Sequence, residues 1–128
     1  MSRRSIEALF SLVERKNQID QNATWSNGSS TYLKEIKNEL EEVQAEIGKN
    51  RGPALEEELG DVLWDYFKLV RCLETEESIS LDSVLRRAEQ KYRERIDAIE
   101  SGVSWKDIKR TQKDRLAKEL LGHQESGL

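Results

Sequence analysis

Two stretches of the chain carry acids at spacings suited to holding a divalent cation. In "TYLKEIKNELEEVQAEI", Glu35, Glu39, Glu42 and Glu46 recur every three or four residues. In "ALEEELGDVLWDYF", residues 54–67, Glu58, Asp61 and Asp65 do the same, beside seven large apolar or aromatic side chains. Residues three and four apart lie on one side of an α-helix. On a wheel of about 100° per residue, Tyr32, Leu33, Ile36, Leu40, Val43 and Ile47 fill one apolar arc. The four glutamates border that arc, and Glu41 points away. In the second stretch Leu55, Leu59, Val62, Leu63, Tyr66, Phe67, Leu69, Val70 and Leu73 form the arc. Glu58 and Asp65 lie at its edge, Asp61 a little further round, and Glu57 outward.

Two such helices packed through their arcs would bring the acidic borders together. Carboxylates crowded beside a core repel one another, and lost hydration raises the cost. Protonation or a bound cation relieves it. Oxygen ligands without His or Cys favour Mg²⁺, Mn²⁺ or Ca²⁺. The competing reading is a helical interaction module whose acidic face is only solvated, because Glu is a strong helix former and common beside a core arc.

The elements that must position these acids are helices. Apolar periodicity and breaker residues predict helices over about 5–17, 31–47, 53–73, 81–99 and 104–121. Ser30 or Thr31 is the expected cap of the second, Pro53 fits the first turn of the third, and Ser80 can cap the fourth. The fold class expected is all-α: a four-helix-bundle-like protomer with an additional C-terminal helix. A single domain is expected over residues 1–128, with its motif-bearing core at about 25–99 and a polar tail at 122–128.

Charged and hydrophobic residues each make up 36 % of the chain, a small core for a helical protein, so completion of the bundle by oligomerisation is expected. Trp64 lies opposite the arc of its own helix and is expected to face a second subunit. Gly60, poor for a helix interior, is read as permitting close approach of a partner helix or ligand. The lone cysteine, Cys72, excludes an intrachain disulfide, and the lone histidine, His123, excludes His-rich zinc sites and a Ser-His-Asp triad. No apolar run approaches a membrane span or a leader's apolar region, so a cytoplasmic protein without membrane partners is expected.

Between Lys34 and Glu77 thirteen acids face six bases, whereas between Arg86 and Lys118 eleven bases face six acids. The two surfaces could pair with each other, or divide into a metal-binding half and an anion-binding half. The basic half carries few aromatics among its bases, its signs are mixed and the net charge is −4, which argues against a nucleic-acid polymer as partner. No twelve-residue acidic loop of a calcium sensor is present.

"NELEEV" and "EELGDVLW", with fifteen residues between Glu42 and Glu58, together resemble the MazG-type nucleoside triphosphate pyrophosphohydrolases. That all-α family is marked by Glu-Glu-x-x-Glu, a spacer, then Glu-x-x-Asp. Glu39 and Glu42 match the later acids of the first half, and Glu58 and Asp61 match the second. Asn38 stands where the first acid would be, a departure that leaves a carbonyl oxygen but no anion. Trp25 ahead of "TYLKEI" and Lys91 with Arg95 in "KYRER" extend the likeness over residues 25 to 95.

The resemblance implies a metal-dependent hydrolase that cleaves a nucleoside triphosphate to the monophosphate and pyrophosphate, with a role in removing unwanted nucleotides. It implies Mg²⁺, with Mn²⁺ as a substitute, held by Glu39, Glu42, Glu58 and Asp61. Glu42, Glu46 and Glu35 are the candidates for the base that takes the water's proton. Asn38, Trp25, Lys91 and Arg95 are the candidates for substrate contact, Trp25 by stacking on the base and the two cations on phosphate oxygens. Lys91 and Arg95 could equally be surface ion pairs, and Trp25 could equally cover the core. Trp105 is read as a packing anchor. A homodimer or dimer of dimers is expected.

Overall fold

The computed structural model describes residues 3–22 and 28–126. These form five helices and no strand: α1 (Arg3–Asp20), α2 (Ser29–Glu46), α3 (Gly52–Glu76), α4 (Leu81–Glu100) and α5 (Trp105–Ser126). The chain is all-α, as its periodicity predicts. Among the described residues no helix is long and apolar enough to cross a membrane. The chain divides into two compact units, one reaching to Leu81 and one beginning at Asp82.

In the first unit α2 and α3 form the main packed pair, and α1 lies on α3. The turn between α2 and α3 uses Gly48 and Asn50 at positive φ, 87° and 58°. Gly has no Cβ to clash there, and Asn is among the residues that tolerate this conformation. Arg51 clamps the turn, donating from Nε to Glu46 Oε1 and from Nη2 to Glu46 Oε2, each at 2.8 Å. At the opposite end, α2 begins at Gly28 with no capping side chain of its own, so neither Ser30 nor Thr31 is the N-cap. Glu76, from the end of α3, accepts the Ser29 backbone N–H at 2.9 Å and the Ser29 hydroxyl. A carboxylate placed there also meets the positive end of the α2 dipole. Glycine suits position 28: its φ is 71°, which L side chains rarely adopt, and a Cβ there would sit 2.6 Å from Glu76 Oε2 and displace that carboxylate from Ser29. The spacer and both ends of the α2–α3 hairpin are thus pinned.

Phe10 packs edge-on against Phe67 with ring centroids 4.8 Å apart, and Arg71 reaches Glu14 at 2.6 Å, so α1 is tied to α3 by both apolar and ionic contacts. Val13, Tyr32, Phe67 and Val70 form the buried apolar core. Polar groups are buried with them. Lys68 is wholly buried, its Nζ 3.0 Å from Asp20 Oδ2 and 5.1 Å from the centre of the Tyr32 ring. Tyr32 donates its hydroxyl to the same Asp20 oxygen at 2.5 Å, and Lys16 pairs with Asp20 from one turn away. Burial pushes the Asp20 carboxyl up, but the hydrogen bonds from Lys16, Tyr32 and Lys68 outweigh it and hold the group below its ordinary range.

The buried face of α3 is therefore rotated from the one its hydropathy predicts. Asp65, Phe67, Lys68 and Val70 are buried, while Leu59 and Leu63 of the predicted arc are 50 % and 44 % exposed. Trp64, opposite the predicted arc and expected to face a second subunit, is half-buried within this chain. A helix apolar around more than half its circumference leaves the choice of inward face to its neighbours, and the ion pair with Asp20 turns Lys68 inward. A Cβ at Gly60 would meet nothing within 4 Å, so nothing in the described chain approaches closely there.

In the second unit, Gly102 (φ 90°) ends α4 in the left-handed conformation. Val103 N–H returns to Ala98 O at 2.8 Å and Gly102 N–H to Ile99 O at 3.0 Å, the paired bonds of a Schellman C-cap. Ser104 accepts the Asp107 N–H at 3.1 Å and caps α5. Arg95 ties the two helices together: it donates from Nε to Gln112 Oε1 at 2.8 Å and lies against the rings of Tyr92 and Trp105. Arg115 with Glu94 and Arg87 with Glu119 add exposed pairs between the same helices.

Candidate metal centre

Because α2 and α3 run side by side, their acidic borders meet. Glu39 on α2 and Glu58 and Asp61 on α3 each offer a carboxylate oxygen within 4.8 Å of the others. Glu42 stands close enough to Glu39 and Glu58 to raise both of their carboxyls. All four acids of the sequence motif are therefore in one place. A second group, Glu35, Glu39 and Asp65, meets the same criterion and shares Glu39 with the first.

The electrostatics of the centre are those of acids held too close. Burial, then the hydrogen bond and charge of Glu42, push the Glu39 carboxyl up to about 7. The hydrogen bond to Glu42, then burial, raise Glu58. Burial, then the charges of Glu35 and Asp61, raise Asp65 to about 6. Glu39 and Glu58 each also keep one buried oxygen, Oε2, with no hydrogen-bond partner. A buried acceptor without a donor carries its desolvation penalty uncompensated. Hard anionic oxygens that repel one another and lack donors suit a divalent cation.

The MazG nucleotide pyrophosphohydrolase domain model matches residues 27–100, more than half of the chain and all of the acidic centre. The chain belongs to this family. No curated protein and no solved structure gives a match.

Among the other residues singled out from the sequence, the MazG domain treats each differently. Glu35 is exposed and belongs to the second acidic group. Glu46 is in neither group: it is buried, and Arg51 first, with Lys49 contributing less, holds its carboxyl below the ordinary range. Its observed work is closing the turn of the MazG hairpin. Asn38 is exposed on α2, one residue before Glu39. Trp25 lies outside the described residues. Lys91 is exposed, its Nζ 5.8 Å from the centre of the Tyr92 ring. Arg95 is 7 % exposed and spent on Gln112, Tyr92 and Trp105, so in this conformation its guanidinium is part of the α4–α5 packing. Trp105, expected to anchor packing, is 41 % exposed and meets the Arg95 guanidinium with its ring.

Sequence reasoning missed the polar interior. Asp20, Tyr32 and Lys68 come from three helices, and no local spacing links them. The one available signal was Lys68 interrupting the apolar run "YFKLV" of α3.

The raised acids make the cation-free MazG domain sensitive to pH. A carboxyl raised in the folded state binds its proton more tightly folded than unfolded, so its contribution is full below the ordinary value of 4.5. It is lost as pH rises through the folded value, about 7 for Glu39. Asp65 and Glu58 act in the same direction. Thermal melts in chelator should therefore show Tm falling between pH 4.5 and 7. Saturating Mg²⁺ should flatten that fall by taking the place of the protons. A Tm that rises across this interval in chelator contradicts the assignment.

Proposed function

We propose that this chain is a Mg²⁺-dependent nucleoside triphosphate pyrophosphohydrolase, releasing pyrophosphate and a monophosphate from ribo- or deoxynucleotides. The observation that carries the reading is the meeting of Glu39, Glu42, Glu58 and Asp61, with buried unpartnered oxygens on Glu39 and Glu58. Mg²⁺ supplies neutralisation of phosphate charge and acidification of a water when bound, and Mn²⁺ can replace it. Glu39, Glu58 and Asp61 would hold it, with Glu42 completing the set.

The hydrolysis forms a bond between the water oxygen and the α-phosphorus and breaks the bond from that phosphorus to the oxygen bridging to the β-phosphate. The water's proton must go to a carboxylate. Glu42 is exposed to solvent and acts electrostatically on both Glu39 and Glu58, so it is the carboxylate best placed to take that proton. Glu35 is exposed too, but belongs to the other group. Glu46 is held by Arg51 and is the poorest candidate. Lys91, exposed on α4, suits a phosphate contact better than Arg95, and Asn38 and Trp25 remain substrate-contact candidates.

Measuring pyrophosphate release from a panel of ribo- and deoxynucleoside triphosphates, with Mg²⁺ and with chelator, tests the reading. Release that requires the metal is the expected result. No release from any of them would return the acidic face to the interaction-module reading.

The same reading includes a homodimer or dimer of dimers in the cytoplasm. Leu33 and Leu40 on α2 and Ile47 at its C-cap repeat every seventh residue and are about half or more exposed. Leu59, Leu63 and Tyr66 form an exposed row on α3. Apolar surface of this extent on the helices that carry the site fits coverage by a second copy. Sedimentation should give a multiple of the chain mass, and Leu40→Glu or Leu63→Glu should shift it toward the monomer. A wild-type monomer at high concentration would sink this part.

A further inference from the structure

The acids of α2 and α3 belong to two longer stripes. Tyr32, Glu35, Glu39, Glu42 and Glu46 recur every three or four residues along α2, and Glu58, Asp61, Asp65 and Lys68 do so along α3. The two ends of the paired stripes differ. At one end Tyr32, Asp65 and Lys68 are buried, and Asp20 ties Lys68 to Tyr32. At the other stands Glu46, one turn beyond Glu42, or about 6 Å along the axis. Its charge reaches Glu58 and adds to the forces that raise that carboxyl.

Glu46 holds a cation at this end. Arg51 donates from Nε and Nη2 to the two Glu46 oxygens at 2.8 Å each, yet its side chain is 61 % exposed. The fork fixes the plane of the guanidinium. It also leaves Nη1 without a hydrogen bond among the described residues. Closing the turn accounts for Nε and Nη2, and not for a charged group presented to solvent beside the acidic centre. A planar, oriented guanidinium with spare donors suits phosphate oxygens, which accept several charge-assisted hydrogen bonds. Lys49, the other cation of the turn, acts on Glu46 by charge and is not oriented by it.

A triphosphate with its α-phosphorus at the acidic centre has room along the stripes only toward Glu46, because buried side chains fill the opposite end. Negative charge grows on the departing pyrophosphate as the bond from the α-phosphorus breaks, and a fixed cation there stabilises it. We propose that Arg51, oriented by Glu46, binds the β- or γ-phosphate of the substrate. The inference rests on the pyrophosphohydrolase reading and adds a substrate contact outside both acidic motifs and the Lys91–Arg95 stretch.

Arg51→Gln and Glu46→Gln both sever the turn clamp, but only the first removes the cation. Comparing them separates phosphate contact from turn closure. The readouts are pyrophosphate binding in saturating Mg²⁺ by isothermal titration calorimetry, and KM and kcat for a triphosphate that the wild type hydrolyses. Arg51→Gln should weaken pyrophosphate binding and raise KM, each by about ten-fold or more, the scale of a hydrogen bond to a charged group. Glu46→Gln should change both by only a few-fold, and Arg51→Lys, which keeps the charge without the fork, should fall between. Circular dichroism and Tm check that each variant is folded. Equal losses for Arg51→Gln and Glu46→Gln reduce Arg51 to a turn clamp and overturn the proposal. Wild-type binding and KM in Arg51→Gln overturn it too, while leaving the enzymatic reading intact. Arg51-dependent pyrophosphate binding in a protein that hydrolyses no triphosphate keeps the contact and removes the enzymatic reading. Neither binding nor hydrolysis in the wild type overturns both.

Discussion

Asp61→Asn or Glu58→Gln is expected to lower metal-dependent pyrophosphate release by on the order of a hundred-fold or more. That exceeds the roughly 10- to 100-fold typical of losing a group that only supports a metal ligand. Each substitution keeps the side chain's size and removes one anionic oxygen donor from the three-acid group. The helical circular dichroism signal should be unchanged, because both groups raise the electrostatic cost of the apo fold. Removing one acid from a repelling cluster should even raise Tm slightly in chelator. Glu42→Gln should cost turnover more than Mn²⁺ affinity if Glu42 takes the proton. Glu46→Gln should leave turnover within a few-fold of wild type and lower Tm, since Arg51 rather than the acidic centre uses that carboxylate. A Glu58→Gln protein that hydrolyses nucleotides at the wild-type rate would end the assignment of this centre.

The second large effect lies in the first unit's polar interior. Asp20→Ala is expected to destabilise the protein by about 3–5 kcal/mol, the range for breaking a buried ion pair by removing one partner. It strands the ammonium of Lys68, which is 0 % exposed, and leaves the Tyr32 hydroxyl without its acceptor. Lys68→Met should cost less, because a Met fills the same space and Asp20 keeps Lys16 and Tyr32. Urea unfolding of the two single variants and the double variant separates the pair from its surroundings: the double should be more stable than the sum of the singles implies. The pH dependence has the opposite sign to that of the acidic centre. Asp20 is held below its ordinary 3.8, so its contribution is present above that value and lost as pH falls through the lower folded value. If Asp20→Ala melts within a degree of wild type, the network is incidental to stability.

These two sites differ in how far they could be read in advance. Glu39, Glu42, Glu58 and Asp61 were legible because each pair lies within one helix, where a spacing of three residues is already a spatial statement. The turn that brings the pairs together was legible too, through Gly48, Asn50 and Pro53. Lys68 and Asp20 lie forty-eight residues apart and share no periodic pattern, so their pairing exists only in the packed chain. Arg95 shows the converse case. Its spacing from Lys91 suits a phosphate clamp, yet Gln112, Tyr92 and Trp105 take up its guanidinium. A cation on a helix surface looks the same in sequence whether it faces solvent or a neighbouring helix.

The sequence by itself determined the helices, the acid spacing on each and the family signature, because a helix's hydrogen bonds are local and its period converts residue number into direction. Tertiary structure alone decided which side of α3 turns inward. That helix has more apolar circumference than one neighbour can cover, and the pull of Asp20 on Lys68 broke the tie. The same rotation buries Asp65 and turns it from one more border acid into a carboxylate facing Glu35 and Glu39. It also leaves Leu59, Leu63 and Tyr66 in solvent. Charge pairing over long sequence separation is energetic information that no local pattern carries.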